Sequence, residues 1–303
     1  MEYRYCTNVK EDDALRDSFN ALTRNMYGFD FTEWYEKGHW GDQYIPHVLA
    51  DHNRVISNVS VNIMKFNDNG QIKNYIQLGT VMTDREYRKK GLNKYLISKI
   101  LKEYEGKADG IYLFANDSVL DYYPKFGFRT IREYEYSALV KQKKSSEDSL
   151  DKYTIQRVDL SDAGSCDRLY KTIELYDKGN IMCNPNESFC MCSNLGLYQF
   201  WLDAAYSENV YYLPEMKAYV IASVEQQVLN IHQIISGAAI DMEKLAGSFD
   251  EDIVQIKLGF TPAEKSIYDN RIHKIEDSTL FVLGEDLYDV EKKKYMFPVI
   301  SHA

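Results

Sequence analysis

The sequence predicts an α+β protein in which mostly antiparallel strands pack against helices. Strand-like runs at 44–50, 55–66 and 75–83 are joined by short polar turns, and this arrangement predicts an antiparallel meander. Apolar residues then recur at helical spacing over 92–104. A compact apolar run at 111–115, flanked by glycine and asparagine, predicts a buried strand after that helix.

The elements on either side complete the first half of the chain. The pattern predicts an opening strand at 2–7, followed by helices at 10–26 and 31–37. After the buried strand, a short helix is predicted at 117–125. The half then closes with a strand at 132–140, where apolar and polar residues alternate.

A nearly all-polar segment at 141–152 predicts a linker between two domains, at 1–140 and 153–303. The second half repeats the pattern of the first in a shortened form. Its predicted strands lie at 153–158, 211–213, 218–224, 228–235, 253–258 and 280–283 and near His273, and its predicted helices at 163–176, 195–206 and 242–246.

The net charge of −10 over 303 residues argues against sequence-independent binding of nucleic acid and against docking on an anionic membrane. Five cysteines, no signal peptide and no apolar stretch long enough to span a bilayer predict a cytoplasmic protein. Positive charge is nevertheless concentrated at 85–107, which holds eight basic and three acidic side chains. Such a segment indicates either a site for a small anion or a solvated helix face.

The junction between the strand at 75–83 and the helix at 92–104 has the features of a phosphate-binding turn. The first N–H groups of a helix are unpaired and lie at the positive end of its dipole. Gly91 has no Cβ to keep a ligand away from the backbone, and three basic residues precede it. Neither G-x-x-x-x-G-K-[ST] nor G-x-G-x-x-G occurs, which disfavours a P-loop NTPase or a dinucleotide dehydrogenase.

The segment 88–93, RKKGLN, resembles the R/Q-x-x-G-x-G/A signature of the GCN5-related N-acetyltransferase (GNAT) superfamily, with Asn93 where glycine or alanine is usual. A second segment, 111–128, resembles the later motif of this superfamily. It contains a strand, then Asn116, then a short helix that ends in Tyr-x-x-φ-Gly-Phe, where φ is apolar. The resemblance covers residues 1–140 and implies a GNAT fold.

The resemblance implies that acetyl-CoA is the cosubstrate and that no metal is needed. It implies that Tyr123 donates a proton to the leaving CoA thiolate. Tyr122 is the alternative candidate for this role. The residues that it implies for CoA binding are Val81, Met82, Thr83, Arg88, Lys89, Lys90, Gly91, Leu92, Asn93, Lys94 and Asn116.

The proton acceptor and the substrate are less well defined by the sequence. The strand segment at 75–80 has no carboxylate, so a water chain, Glu33 or Asp42 is needed as the base. Glu33 also fits a capping box that starts at Asp30. By the resemblance, residues 29–43 form the acceptor wall, in which Glu33, Trp34 and Asp42 suit a cationic amine.

The second half lacks a basic glycine turn, because residues 236–239 lie at the equivalent place without Arg or Lys. The whole chain is therefore similar to two-domain bacterial GNAT proteins with a degenerate second, smaller domain. Relatives of the enhanced-intracellular-survival acetyltransferases share this arrangement, usually with a third domain and with the chain terminus in the active site. Whether Ala303 enters the site here is a hypothesis.

The sequence thus predicts an acyltransferase that moves acetyl from acetyl-CoA to a primary amine of a small molecule or peptide. Two alternatives stay open: a non-catalytic acyl-CoA-binding regulator, and a transferase of a longer acyl group. The spacing of Cys183, Cys190 and Cys192 does not supply a fourth nearby ligand, so a tetrahedral zinc site is not expected.

Overall fold

The computed structural model describes residues 3–141, 152–177, 184–249 and 252–302. Most of the predicted linker, at 142–151, lies outside the described residues. The helices are α1 (Asp13–Tyr27), α2 (Thr32–Glu36), α3 (Leu92–Tyr104), α4 (Ala163–Asp177), α5 (Leu195–Trp201), α6 (Met242–Ala246) and α7 (Tyr288–Lys292). None of the helices in this described part is long and apolar enough to cross a membrane.

Sixteen strands are found in the described residues. Those of the first half are β1 (Arg4–Cys6), β2 (Tyr44–Asp51), β3 (Arg54–Asp68), β4 (Gln71–Thr83), β5 (Gly110–Ala115), β6 (Arg129–Thr130) and β7 (Glu133–Leu139). Those of the second half are β8 (Gln156–Arg157), β9 (Glu187–Cys192), β10 (Val210–Leu213), β11 (Ala218–Glu225), β12 (Val228–Ile235), β13 (Gln255–Leu258), β14 (Thr261–Pro262), β15 (Asp269–His273) and β16 (Thr279–Leu283).

These strands form two sheets with the same plan. The first has the order β1-β2-β3-β4-β5-β16-β6, with β9 paired to the far part of β3 and β14 paired to β9. The second has the order β8-β10-β11-β12-β13-β7-β15. In each sheet one pair is parallel, β4 with β5 and β12 with β13, and the other pairs are antiparallel. The predicted α+β class is therefore confirmed.

The two halves exchange one strand. The strand predicted to close the first half, β7, pairs with β13 and β15 in the second sheet. In return β16, near the end of the chain, pairs with β5 and β6 in the first sheet. The placement of both strands in their own halves was wrong, because alternation predicts a strand but does not identify its neighbour.

The halves also share apolar packing. Phe66 on β3 stacks on Phe189 of β9 with 4.7 Å between ring centroids, and Tyr112 on β5 stacks on Phe297 at 4.2 Å. All four rings are at most 1% exposed. Residues of both halves therefore belong to one continuous core, which fixes the second half against the open end of the first sheet.

The helices cover the first sheet on both faces. On α1, Leu15, Phe19 and Leu22 are buried, and Asp12 caps the helix by accepting a hydrogen bond from the backbone N–H of Leu15 at 3.1 Å. On α3, Leu92, Leu96 and Ile100 are buried on the side that faces the sheet. These two layers position the start of α3 beside the end of β4.

Candidate active site

An opening separates β4 from β5. The two strands pair only from Tyr75, opposite Gly110, to Gln77, opposite Tyr112. Beyond this point they diverge, and the later part of β4 keeps only β3 as its neighbour. The register with β3 shifts next to Thr80, whose φ is +47°, an uncommon value for a β-branched residue. The strand is thus bent at the opening.

Two hydrogen bonds fix the peptide groups at this bend. The side-chain amide of Asn58 donates to the carbonyl of Thr80 at 2.8 Å, and the hydroxyl of Tyr27 donates to the carbonyl of Val81 at 2.8 Å. The C=O and N–H of a trans peptide point in opposite directions. The carbonyl of Thr80 therefore faces the side chain of Asn58, and the N–H of Val81, in the same peptide group, points away from it.

A cleft of about 710 Å³ runs from this opening to the start of α3, and we call it the basic cleft. Gly91 is the N-cap of α3 with φ of +76°, and Lys89 also has a positive φ of +63°. The left-handed conformation explains why glycine suits this position. The first N–H groups of α3 have no partner within the helix, and they lie at the end of the cleft where the sequence predicts a phosphate.

The structure brings most of the predicted CoA-binding residues together. The basic cleft is lined by Val81, Met82, Thr83, Arg88, Lys89, Gly91, Leu92, Asn93, Lys94, Asn116 and Tyr123. Lys90 is not part of this lining, and its ammonium lies 4.5 Å from the ring centroid of Tyr87.

Asn93 and Asn116 use their side chains for internal contacts. The carbonyl oxygen of Asn93 accepts hydrogen bonds from the hydroxyls of Ser57 at 2.5 Å and Thr83 at 2.9 Å, which ties α3 to the sheet. The amide nitrogen of Asn116 donates to the carboxylate of Asp277 at 2.8 Å. Asn93 can therefore offer a ligand its backbone N–H, while Asn116 retains its carbonyl oxygen.

Tyr123 lies at the wall of the basic cleft and is only 4% exposed. Burial raises the pKa of its phenol above the usual value, so the hydroxyl stays protonated at neutral pH. Tyr122 also lines the cleft and is less buried. The structure therefore keeps both tyrosines as hydrogen-bond donors, with Tyr123 in the drier position.

A second cavity of about 670 Å³ lies on the other side of Thr80, and we call it the aromatic cavity. Thr80 and Phe29 line both spaces, so the two meet at the bend of β4. The rings in its wall come from both halves of the chain: Phe29, Phe31, Trp34, Tyr44, Phe200 and Trp201.

Two of the three predicted substrate residues lie at the aromatic cavity. Trp34 is 8% exposed, and its indole N–H donates to the carbonyl of Gly196 at 2.9 Å. Glu33 is mostly exposed and forms an ion pair with Lys37 at 2.8 Å. Asp42 is not in the cavity lining; it is almost fully exposed and pairs with Lys10 at 3.0 Å. The predicted capping box is absent, because Phe31 caps α2 without a side-chain hydrogen bond.

Sequence reasoning missed the residues that the second half contributes. Phe200 and Trp201 end α5, and Asp203 lies in the turn of π-helix that follows, at Leu202–Tyr206. His302 also lines the cavity. The helical spacing at 195–206 predicts the helix but not what it packs against. The hypothesis that Ala303 enters the site is not tested, because Ala303 lies outside the described residues.

In the second sheet, the place that corresponds to the opening between β4 and β5 lies at the end of the parallel pair β12 and β13, and it is filled. The parallel pairing of β12 and β13 ends with Ile231 opposite Leu258. Beyond it, Gly259 accepts a hydrogen bond from the N–H of Val299 at 2.8 Å. A Cβ built on Gly259 would lie 2.8 Å from Cγ2 of Val299, so the turn at Val299–Ser301 is in close contact there. The helix that follows β12, α6, is also only five residues long.

The family described as "Acetyltransferase (GNAT) domain" matches residues 2–131. This match contains β1 to β6, the basic cleft and Tyr123. This part of the chain is therefore similar to GNAT acetyltransferase domains. A comparison with curated proteins finds no significant match.

Solved structures share the fold over nearly the whole chain. A probable N-acyltransferase from Enterococcus faecalis V583 has a TM-score of 0.57 at 17% identity, with 93% of this chain and 72% of that chain covered. Eis1 from Mycobacterium abscessus has a TM-score of 0.57 at 13% identity, with 92% and 72% covered. A putative acetyltransferase from Pyrococcus horikoshii has a TM-score of 0.50 at 12% identity, with 100% and 96% covered. The chain therefore has a GNAT fold, and its second sheet repeats the plan of the first.

Proposed function

We propose that the protein transfers the acetyl group of acetyl-CoA to a primary amine of a small molecule or peptide by direct attack. One observation supports this proposal most directly: the basic cleft and the aromatic cavity meet at Thr80. The basic cleft offers a place for the phosphates and pantetheine, and the aromatic cavity offers a place for the acceptor.

The phosphate contacts would come from the start of α3. Backbone N–H groups of Leu92, Asn93 and Lys94 belong to its first turn, where an anion is favoured. Arg88, Lys89 and Lys94 line the cleft and add positive charge. The pantetheine would then follow β4 through the opening toward Val81.

The chemistry requires one bond to form and one to break. The amine nitrogen bonds to the thioester carbonyl carbon, and the carbon–sulfur bond then breaks. The N–H of Val81 would donate to the oxyanion, and the protonated Tyr123 would donate to the departing thiolate. The proton lost by the amine would pass to water or to Glu33, since Asp42 lies outside the cavity lining.

We also propose that residues 1–140 and residues 153–303 have different roles. The first part would bind acetyl-CoA, and the second would complete the acceptor wall without binding CoA. We also propose a cytoplasmic location, because five cysteines are few for a chain of 303 residues.

The test measures binding of acetyl-CoA by calorimetry and release of free thiol across a panel of amines, peptides and aminoglycosides. Binding followed by amine-dependent thiol release supports the proposal. Binding without turnover on any acceptor would instead indicate an acyl-CoA-binding regulator. Faster turnover with butyryl-CoA than with acetyl-CoA would indicate transfer of a longer acyl group. Failure to bind any acyl-CoA would refute all three.

A further inference from the structure

We infer that the acceptor is a monoamine with an apolar body, in contrast to a polyhydroxylated or polycationic amine. This inference rests on the proposed function, because it assigns the acceptor to the aromatic cavity. It follows from the apolar wall, from the hydrogen bonds already made by the polar groups there, and from the balance of charge at the cavity.

The wall presents ring faces to an occupant. Both indole N–H groups are already used, by Trp34 toward Gly196 at 2.9 Å and by Trp201 toward His302 at 2.7 Å. The rings hold each other in place, since Phe31 lies 5.8 Å from both Trp34 and Phe200. A rigid apolar wall favours an apolar occupant without a large ordering cost.

Most uncharged polar residues of the wall have existing partners. The exceptions are the side-chain amide nitrogen of Asn62 and Nε2 of His302, which are buried without a hydrogen-bond partner. Tyr44 and Thr80 share a hydroxyl hydrogen bond of 2.9 Å. Asn194 caps α5 by accepting a hydrogen bond from the N–H of Leu197 at 3.2 Å. Gln43 donates to the carbonyl of Ser193 at 3.4 Å. An acceptor with many hydroxyl groups would lose water without gaining equivalent partners here.

The charge at the cavity matches one ammonium group. The lining contains the carboxylates of Asp30, Glu33 and Asp203 and, within the described part of the chain, no lysine or arginine. Two cations compensate them from outside the lining. Arg24 pairs with Asp30, and Lys37 lies between Glu33 at 2.8 Å and Asp203 at 3.1 Å. One negative charge is left over.

His39 does not neutralise this remaining charge. Its Nδ1 lies 3.6 Å from Asp203, beyond hydrogen-bond distance. Burial lowers the pKa of His39, so its ring is neutral at pH 7. The single negative charge would attract one protonated amine and would offer nothing to a second cationic group.

The experiment compares kcat/KM for four acceptors with acetyl-CoA: cyclohexylmethylamine, propylamine, 1,4-diaminobutane and kanamycin. The first two are both primary aliphatic amines on a CH₂ group, so they differ mainly in apolar bulk. We expect cyclohexylmethylamine to exceed propylamine at least about tenfold and to exceed both polycations by more. Equal values for the first two amines, or a preference for either polycation, would overturn the inference and leave the proposed function intact.

Variants connect the preference to the cavity. Phe200→Ala should remove most of the advantage of cyclohexylmethylamine and change propylamine little, and Phe200→Leu should remove less. Tyr212→Ala, on β10, is the matched aromatic control and should keep the preference. A preference that survives in Phe200→Ala would place the amine elsewhere. Binding of acetyl-CoA with no turnover on any of the four amines would count against both the inference and the proposed function.

Discussion

The imidazole of His302 stacks on the ring of Phe114, with 4.1 Å between centroids and 28° between planes. Phe114 lines the basic cleft and His302 lines the aromatic cavity, so this pair forms part of the wall between them. Phe114 belongs to β5 of the first half, whereas His302 lies near the end of the chain. The partition between the two spaces is therefore built by both halves.

The histidine of this pair makes the protein sensitive to acid. Burial lowers the pKa of His302 to about 4, below the ordinary value of 6.5. The unfolded chain therefore binds a proton first as the pH falls, and stability is lost between pH 6.5 and 4. We expect His302→Leu to reduce the loss of unfolding free energy between pH 7 and pH 5 by about 2 kcal/mol. Urea titrations at both pH values measure it.

His52→Leu is the control, because the side chain of His52 is 97% exposed. Comparison of the two variants shows whether the effect is specific to the histidine that stacks on Phe114. An equal loss of stability for wild type and His302→Leu would show that His302 is not held neutral.

Removing the Tyr123 hydroxyl should slow turnover. Tyr123→Phe keeps the buried ring and deletes the hydroxyl that we propose donates to the departing thiolate. We expect kcat to fall by about 100-fold with little change in the KM for acetyl-CoA. Thiol release gives both constants. Tyr122→Phe should be close to wild type, and the reverse ranking of the two variants would assign the acid to Tyr122.

Gly91→Ala should weaken acetyl-CoA binding. Gly91 has φ of +76° at the start of α3, and Gly106 has φ of +70° just after its end. A built Cβ has nothing within 4 Å at either position, so each alanine should cost about 1 kcal/mol of stability through the backbone alone. Only Gly91→Ala should raise the Kd for acetyl-CoA in calorimetry. Equal Kd values for the two variants would show that the phosphates of acetyl-CoA do not bind at this turn.

Glu133→Gln should stabilise the protein at alkaline pH. Glu133 accepts a hydrogen bond from the N–H of Phe297 at 2.8 Å, which glutamine can also accept. Burial raises the pKa of Glu133 from 4.5 to about 7, so the wild type loses stability as the pH rises from 4.5 through 7. The advantage of the variant should grow by up to about 3 kcal/mol between pH 4 and pH 8. Urea titrations measure the difference in unfolding free energy between the variant and the wild type. A difference that stays constant from pH 4 to pH 8 would show that the pKa of Glu133 is not raised.

The exchanged strands should make unfolding a single event. β7 has no place in the first sheet and β16 none in the second, so neither sheet is complete without the other half. We expect one calorimetric transition whose van't Hoff and calorimetric enthalpies agree. Two separated transitions would show that the halves fold independently.

The sequence predicts local features of this fold well. The helix expected at 242–246 has the same bounds as α6, and the stripe at 92–104 is α3. The basic cleft was predicted for the same reason, because a strand, a glycine turn and a helix follow one another along the chain. β9 was missed, since all six of its residues are buried and no polar alternation indicates a strand.

Long-range relationships could not be read from the sequence. The aromatic cavity depends on Phe200 and His302 reaching residues that lie far earlier in the chain. Nothing in their local spacing identifies these neighbours. The partners of β7 and β16 could not be identified for the same reason.

The strand exchange has a consequence for any shortened form of this protein. A fragment of residues 1–140 would carry β7 as a strand without a sheet and would leave the edge of β5 without its partner β16. Exposed strand edges of this kind pair with other chains and lead to aggregation. The first half, which carries the basic glycine turn, therefore needs the second half to complete its sheet.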